Sequence, residues 1–168
     1  MSITNNVIAS YTAPREVFRR LLSHGRREDR ALVFLMVACG LGFVAQWPRL
    51  ARYAALSDDI PLQGYLVGAL FAWMFLVPLL SYGLAGLLHL GMLALRRRSS
   101  WFATRMVLFW TMLAVTPLLL LQGLLAGIAG QGAGAALIGF VVLLAFVYIL
   151  VQGLREVART HAATAVSA

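Results

Sequence analysis

The sequence contains no lysine, only one cysteine and only six acidic residues. The single cysteine, Cys39, excludes an intrachain disulfide and a metal site built from cysteine and histidine at the usual spacing. No Asp, Glu or Lys lies inside a long apolar run. Enzymes and proton-coupled transporters of this size normally bring ionisable residues together near the middle of the membrane. We therefore expect no enzyme, no catalytic residues, no metal and no cofactor.

Apolar residues are what the chain has in excess, at 61% of the sequence. Four long apolar runs contain most of them, at residues 31–48, 62–95, 101–130 and 134–154. Each run is long enough for a helix to cross a hydrocarbon layer of about 30 Å at about 1.5 Å per residue. The sequence therefore predicts an all-α, polytopic membrane helical bundle with four transmembrane helices, preceded by a short amphipathic interfacial helix.

The fourteen basic residues, all arginine, are distributed unevenly around these runs. All except Arg49 and Arg52 lie in the segments that four crossings place on one side of the membrane. Arginine in short loops marks the cytoplasmic face, so both termini are predicted inside. We expect a cytoplasmic N-terminal segment (1–30), a membrane domain (31–154) and a cytoplasmic tail (155–168). Arginine without lysine indicates a GC-rich genome, hence a multi-pass protein of a bacterial inner membrane.

The N-terminal segment contains a helix start at Thr12, with Pro14 in the first turn and Glu16 near the positive end of the helix dipole. Its apolar side chains share one face, and its polar ones the other: Val17, Phe18, Leu21 and Leu22 against Glu16, Arg19, Arg20 and Ser23. Such a helix lies in the membrane interface, or packs on the cytoplasmic end of the bundle. Residues 1–11 are small and polar, and we expect no ordered structure there.

Two of the apolar runs carry a proline that bears on helix length. Pro48 is predicted to end the first helix, which places Arg49, Arg52 and the solvated carboxylates of the following loop outside the membrane. The run 62–95 exceeds the hydrocarbon thickness, so we expect a strong tilt, a kink at Pro78, or a continuation past His89 into the cytoplasmic interface. Whether the run is one kinked helix or two elements stays open. The first run begins too late in the chain for a cleavable signal peptide.

Glycines at four-residue spacing predict close helix contacts. The helix-packing candidates are Gly64, Gly68, Gly123 and Gly127. Such faces let helices approach closely in a membrane, and we expect packing within one chain rather than dimerisation. Gln122, deep in the third run, should form an interhelical hydrogen bond.

The densest cationic cluster is Arg96, Arg97 and Arg98, between the second and third runs. It fixes the orientation of that loop, and it is also a candidate site for anionic lipid headgroups or for an acidic surface on a partner, together with Arg19 and Arg20. Nucleic acid is not expected, because the arginines flank apolar runs.

His89 is the one weak candidate for cofactor binding. Ala85 lies one turn before it, and this spacing is similar to the chlorophyll-ligating motif of light-harvesting polypeptides. The alternative is a histidine hydrogen-bonded near the interface.

The segments 14–20 (Pro-Arg-Glu-Val-Phe-Arg-Arg) and 45–49 (Ala-Gln-Trp-Pro-Arg), in a chain with a compact set of apolar spans and little intervening loop, resemble bacterial proteins of the Yip1 family. The resemblance covers about residues 12–156. It implies a multi-span protein with a cytoplasmic N-terminus that organises membranes or associates with their components. Five spans are common in that family where four are predicted here. The tyrosine- and glycine-bearing signature of its eukaryotic members is absent, so their GTPase partners are not implied.

The predicted function is that of a non-catalytic scaffold or accessory subunit, which associates with lipids and with another integral membrane protein or complex. The alternative is a small transporter or channel, whose polar path would involve Gln122, Tyr82, Thr116 and His89.

Overall fold

A computed structural model describes residues 3–23, 28–56, 60–97, 99–130 and 132–166, with side chains to residue 160. The helices are α1 (Ile3–Thr12), α2 (Pro14–Ser23), α3 (Glu28–Leu56), α4 (Leu62–Phe71), α5 (Val77–Ala94), α6 (Trp101–Ala129) and α7 (Ala133–Val166), and a π-helical segment (Ala72–Leu76) joins α4 to α5. No strand occurs in these ranges. Four helical stretches are long and apolar enough to cross a membrane: Glu28–Leu56, Leu62–Ala94, Trp101–Ala129 and Ala133–Thr160. The predicted all-α fold with four apolar spans is confirmed.

The pair α3 and α6 forms the centre of the molecule. At one end of the pair, Phe34 meets Trp110 edge to face, with 4.9 Å between ring centroids. At the other end the two backbones approach closely, because a Cβ atom added to Gly123 would overlap the carbonyl oxygen of Ala45. Only glycine permits this approach, so α3 and α6 remain in contact along most of their length.

The prediction of disorder is wrong for residues 3–11, because α1 is a helix that continues almost directly into α2. Ala13 alone separates them, since Pro14 has no N–H to donate to the preceding turn. The order comes from distant partners. Trp110 Nε1 donates to Ser10 Oγ at 2.9 Å, and the Tyr11 hydroxyl donates to the carbonyl of Ala114 at 2.6 Å.

These contacts place the end of α1 well inside the bundle. Ala114 lies thirteen residues after the first residue of α6, which is about 20 Å along a helix. Burial against α6 also raises the pKa of the Tyr11 phenol, so it remains a protonated donor.

The apolar face of α2 is buried against the bundle, in agreement with the second of the two alternatives for this helix. Phe18 is completely buried, and its ring lies against Val107 of α6 and Gly153 of α7. Arg15 Nε donates to Gln152 Oε1 of α7 at 3.0 Å. The helix is amphipathic as predicted, but its apolar side faces protein.

The first span does not end at Pro48, as the sequence suggested, because α3 continues through it to Leu56. The missing N–H is tolerated where a neighbouring helix supports the backbone. At this point α3 packs closely on α6, since a Cβ atom on Gly127 would come within 2.9 Å of the Pro48 carbonyl carbon. Arg52, one turn further on, binds the end of α6. The adjacent carboxylates Asp58 and Asp59 lie outside the described residues.

The second span is one continuous helical stretch interrupted by the π-helical segment, rather than two elements. The Val77 N–H bonds to the carbonyl of Ala72, five residues earlier, and the irregularity thus lies in the turn before Pro78. Pro78 has no N–H for the carbonyl of Met74, which favours a rearranged turn at this point. Trp73, in the π-helical segment, lies against Gly42 of α3. This indole is a main contact between the second span and the core.

Candidate functional site

Polar side chains gather at both ends of the bundle. We call the end where α3 and α6 begin the arginine-rich end, and the end where α6 stops and α7 begins the cleft end. Among the described residues there is no group of His, Cys, Asp and Glu side chains that could hold a metal ion.

Arg105 is the central charge of the arginine-rich end. It donates to Glu28 Oε1 at 2.7 Å, and its guanidinium lies 5.9 Å from the Tyr82 ring and 5.7 Å from the Trp101 ring. The ion pair joins the start of α6 to the start of α3, and the Arg105 side chain is 13% exposed.

His89 lies nearby, at the end of α5, in a polar contact with the chain itself. Its Nδ1 is 3.0 Å from Ser99 Oγ, and its ring meets Trp101 edge-on at 5.3 Å. The flank where a macrocycle would approach is filled. Ala85 is completely buried, and a Cβ atom on Gly86 would lie 3.2 Å from the Trp101 ring. The geometry corresponds to the hydrogen-bonded alternative considered for this histidine.

The predicted lipid- or partner-binding arginines are largely on the surface. Arg19 is exposed, as are Arg96 and Arg97, while Arg20 forms an exposed pair with Glu16 at 3.4 Å. Arg98 lies outside the described residues.

Arg96 also ends α5. Its φ is +53°, and the N–H groups of Arg96 and Arg97 bond back to the carbonyls of Leu93 and Met92. This is a Schellman cap, which usually has glycine at the left-handed position. The chain thus leaves the axis of α5 at Arg96.

The four glycines proposed for helix packing fall into two classes. Gly123 and Gly127 lie against α3 at Ala45 and Pro48. A Cβ atom on Gly68 would meet nothing within 4 Å, and one on Gly64 would meet only the neighbouring Ile60 side chain. The first pair therefore packs within the chain, and the second pair faces outward.

The residues of the suggested transport path do not line one route. Tyr82 packs on Phe109 with 5.1 Å between ring centroids, toward the arginine-rich end with His89. Thr116 donates its hydroxyl to the carbonyl of Leu113 at 2.8 Å, within its own helix. Gln122 lies at the cleft end, where a Cβ atom on Gly139 of α7 would come within 2.6 Å of Nε2.

An interhelical cleft at the cleft end is a site that the sequence did not suggest. Two cavities, of about 290 and 320 Å³, share Arg49, Ala126 and Gly132 in their walls. The polar lining residues are Gln46, Arg49, Arg52, Tyr53 and Gln122. Since Arg49 and Arg52 were expected in a loop after Pro48, only the continuation of α3 reveals that they face α6 and α7.

The two arginines of the interhelical cleft differ in their partners. Arg52 Nη1 donates to the carbonyls of Ile128 at 2.9 Å and Gly127 at 3.3 Å, at the negative end of the α6 dipole. The Nε atom of Arg49 is buried and has no hydrogen-bond partner. A buried donor without an acceptor is unusual in a folded protein. No carboxylate is among the described residues that line the interhelical cleft.

An apolar groove of about 260 Å³ lies deeper in the bundle, between the π-helical segment, α3, α6 and α7. Its walls include Trp73, Val115, Leu119, Val142, Leu143 and Phe146. Leu119 also lines the interhelical cleft. The polar and apolar spaces therefore adjoin each other.

Comparison with known proteins identified no relative of this chain. The resemblance to the Yip1 family stays a prediction that rests on residues 14–20 and 45–49. No family model, no curated protein and no solved structure matches this chain.

Proposed function

We propose that this protein is a non-catalytic scaffold or accessory subunit of a bacterial inner membrane, which associates with another integral membrane protein through its second span. The observation that supports the proposal is the small burial of that span. Of its most apolar 18 residues only 6% are buried within the chain, compared with 39% for α3. A span that packs so little on its own protein leaves a large surface for other membrane components.

The outward face of the second span has the composition of a helix-packing surface. Val67, Phe71, Phe75 and Leu79 are each more than 60% exposed and follow one another at helical spacing. Gly64 and Gly68, on the exposed side, have no neighbouring helix. Small residues beside large apolar ones allow another helix to approach closely, which lipid chains do not require. A transmembrane helix of a partner protein is the occupant that fits this surface.

The arginine-rich end contributes to the same proposal. Arg19, Arg96 and Arg97 are exposed there, and the segments of this end hold most of the arginines. Anionic lipids of the cytoplasmic leaflet attract such groups by about 1 kcal/mol per arginine near the surface. We place this end, and both termini, on the cytoplasmic side.

Photo-crosslinking in the native membrane tests the association. A photoreactive amino acid at Phe71 should give protein adducts, identified by mass spectrometry after purification in mild detergent. The matched control is Phe140 on α7, which is 58% exposed and apolar but lies outside the proposed surface. Adducts with one protein from Phe71 and not from Phe140 support the proposal. Lipid adducts alone from both positions, or adducts only with a second copy, contradict it.

A small transporter or channel is the second candidate, and the interhelical cleft is the observation in its favour. A cleft with an unpaired arginine Nε and two glutamines is suited to an anion. For this function, anion flux into proteoliposomes should require the wild-type protein and fall in Gln122→Ala. Empty vesicles and Arg19→Gln protein are the controls. Flux equal to that of empty vesicles rejects the candidate.

A further inference from the structure

We propose that the interhelical cleft and the apolar groove form one binding site for an anionic phospholipid. Its phosphate would lie on Arg49, and one acyl chain would follow the apolar groove toward the middle of the bundle. This site is separate from the second-span surface and does not depend on the partner association proposed above.

The charge of the interhelical cleft supports a phosphate. Arg49 brings a guanidinium with a buried, unpartnered Nε, and Arg52 adds a second positive charge in the adjoining cavity. Burial of an unpaired donor is unfavourable unless an acceptor completes it. Arginine is the side chain best suited to phosphate oxygens, because its N–H groups form a planar fork.

The amides of the wall complete the polar half of the site. Gln46 and Gln122 face the same cavity as Arg49, from α3 and from α6. Their N–H₂ groups can donate to phosphate or glycerol oxygens, and their carbonyls can accept from headgroup hydroxyls. The headgroup half is thus rich in donors, and Arg49 and Arg52 supply its formal charge.

The apolar groove supports an acyl chain. It begins where Leu119 leaves the interhelical cleft and continues past Val115 to the Trp73 indole. Along α3, Arg49 lies at the polar end of the proposed site and Ala38 at its apolar end. Eleven residues of helix separate them, a length of about 16 Å.

The direction of the site agrees with the way a lipid lies in a bilayer. The charged part is near the end of the transmembrane helices, and the apolar part extends toward the hydrocarbon interior. A free anion would use the interhelical cleft and leave the apolar groove unused. This adjacency favours a phospholipid over inorganic phosphate.

Binding to the full chain in dodecylmaltoside tests the proposal. The probes are dioctanoyl phosphatidylglycerol, dioctanoyl phosphatidylcholine and inorganic phosphate, with Kd measured by native mass spectrometry and thermophoresis. Arg49→Gln removes the guanidinium. Leu143→Trp fills the apolar groove from an exposed position and should not disturb folding. Arg19→Gln is the control, since it removes the same charge at the arginine-rich end.

Phosphatidylglycerol should bind the wild-type protein more tightly than the other two probes. Arg49→Gln should weaken that binding on the order of tenfold, the effect of one charge-assisted contact. Leu143→Trp should also weaken it, and Arg19→Gln should leave it unchanged. Equal affinity for all variants would overturn the site. Inorganic phosphate binding as tightly as the lipid, or insensitivity to Leu143→Trp, would overturn the acyl-chain half and with it the proposal. The Leu143→Trp arm remains decisive if Arg49→Gln does not fold.

Discussion

The core of the molecule and its second span are both apolar helices, but they pack on the rest of the chain to very different extents. In the core, α3 and α6 meet through glycine, and the N-terminal helices add buried side chains and two hydrogen bonds, one accepted by Ser10 and one donated by Tyr11. The second span touches the core through α4 and the π-helical segment on α3 and through α5 on α6, and 6% of its apolar window is buried. In lipid, apolar surface alone does not drive helices together, so close packing and polar contacts decide which spans adhere.

The difference teaches that hydropathy does not report on packing. The second span has the same mean hydropathy as α3, 1.8, although 39% of the α3 window is buried. What distinguishes α3 is a neighbouring helix, α6, whose glycines Gly123 and Gly127 let the two backbones come into close contact. The following substitutions compare the two regions at matched positions.

Removal of a core aromatic ring should have the largest effect. Phe18→Ala deletes a completely buried side chain and should lower the free energy of unfolding by about 3–5 kcal/mol. Phe75→Ala deletes the same ring from a position that is 67% exposed and should change it by about 0.5 kcal/mol or less. Thermal unfolding in detergent measures both. Similar losses for the two variants would mean that the second span packs as tightly as the core.

Alanine substitutions at two glycines should change the free energy of unfolding in opposite directions. Gly123→Ala forces a methyl group into the carbonyl of Ala45 and should cost about 1–3 kcal/mol. Gly68→Ala has open space and should stabilise by up to about 1 kcal/mol, because alanine favours helix over glycine. The unfolding midpoints should therefore move in opposite directions. A neutral Gly123→Ala would show that α3 and α6 can separate without loss.

Removal of one hydroxyl group should weaken the packing of α1 on α6. Tyr11→Phe removes the hydrogen bond to Ala114 and should cost about 1 kcal/mol. Hydrogen–deuterium exchange should rise in α1, while α4 should keep the exchange of the wild-type protein. Tyr148→Phe, at an exposed position on α7, is the matched change. Unaltered exchange in α1 would show that its order does not depend on this contact.

The ion pair at the arginine-rich end should give the smallest effect. Glu28→Gln breaks the bond to Arg105, but Glu28 is 63% exposed, so the loss should be about 1 kcal/mol or less. Because Arg105 also faces Tyr82, the change should loosen α5 more than α7. Glu16→Gln, at an exposed pair, is the control. Raised salt should reduce the difference, whereas a salt-independent loss above 2 kcal/mol would indicate a more strongly desolvated pair than the structure shows.

The parts of the fold that depend on composition were predictable. Long apolar runs gave the four spans, and Pro14 with Glu16 gave the start of α2. The helix α1 was not predictable, because its partners are distant: 103 residues separate Tyr11 from Ala114. A polar segment looks disordered until a donor such as Trp110 is placed beside it.

The interhelical cleft was missed from the sequence because one helix end was predicted wrongly. Proline normally ends a helix, and that rule placed Arg49 and Arg52 in a loop. At Pro48 the helix α3 continues, with support from α6 through packing on Gly127 and through the hydrogen bond that Arg52 donates to the Gly127 carbonyl. A rule based on neighbouring residues contains no information about such support, so the interhelical cleft could be found only in three dimensions.

The docking of the first two helices has a consequence for biosynthesis. Their partners in α6 and α7 leave the ribosome after them, since 137 residues separate Arg15 from Gln152. The contact of α2 with α7 can therefore form only after the last span has been synthesised. Docking of α1 and α2 onto the completed bundle is thus a late step of folding, and a bulky fusion at the amino terminus would impair that step first.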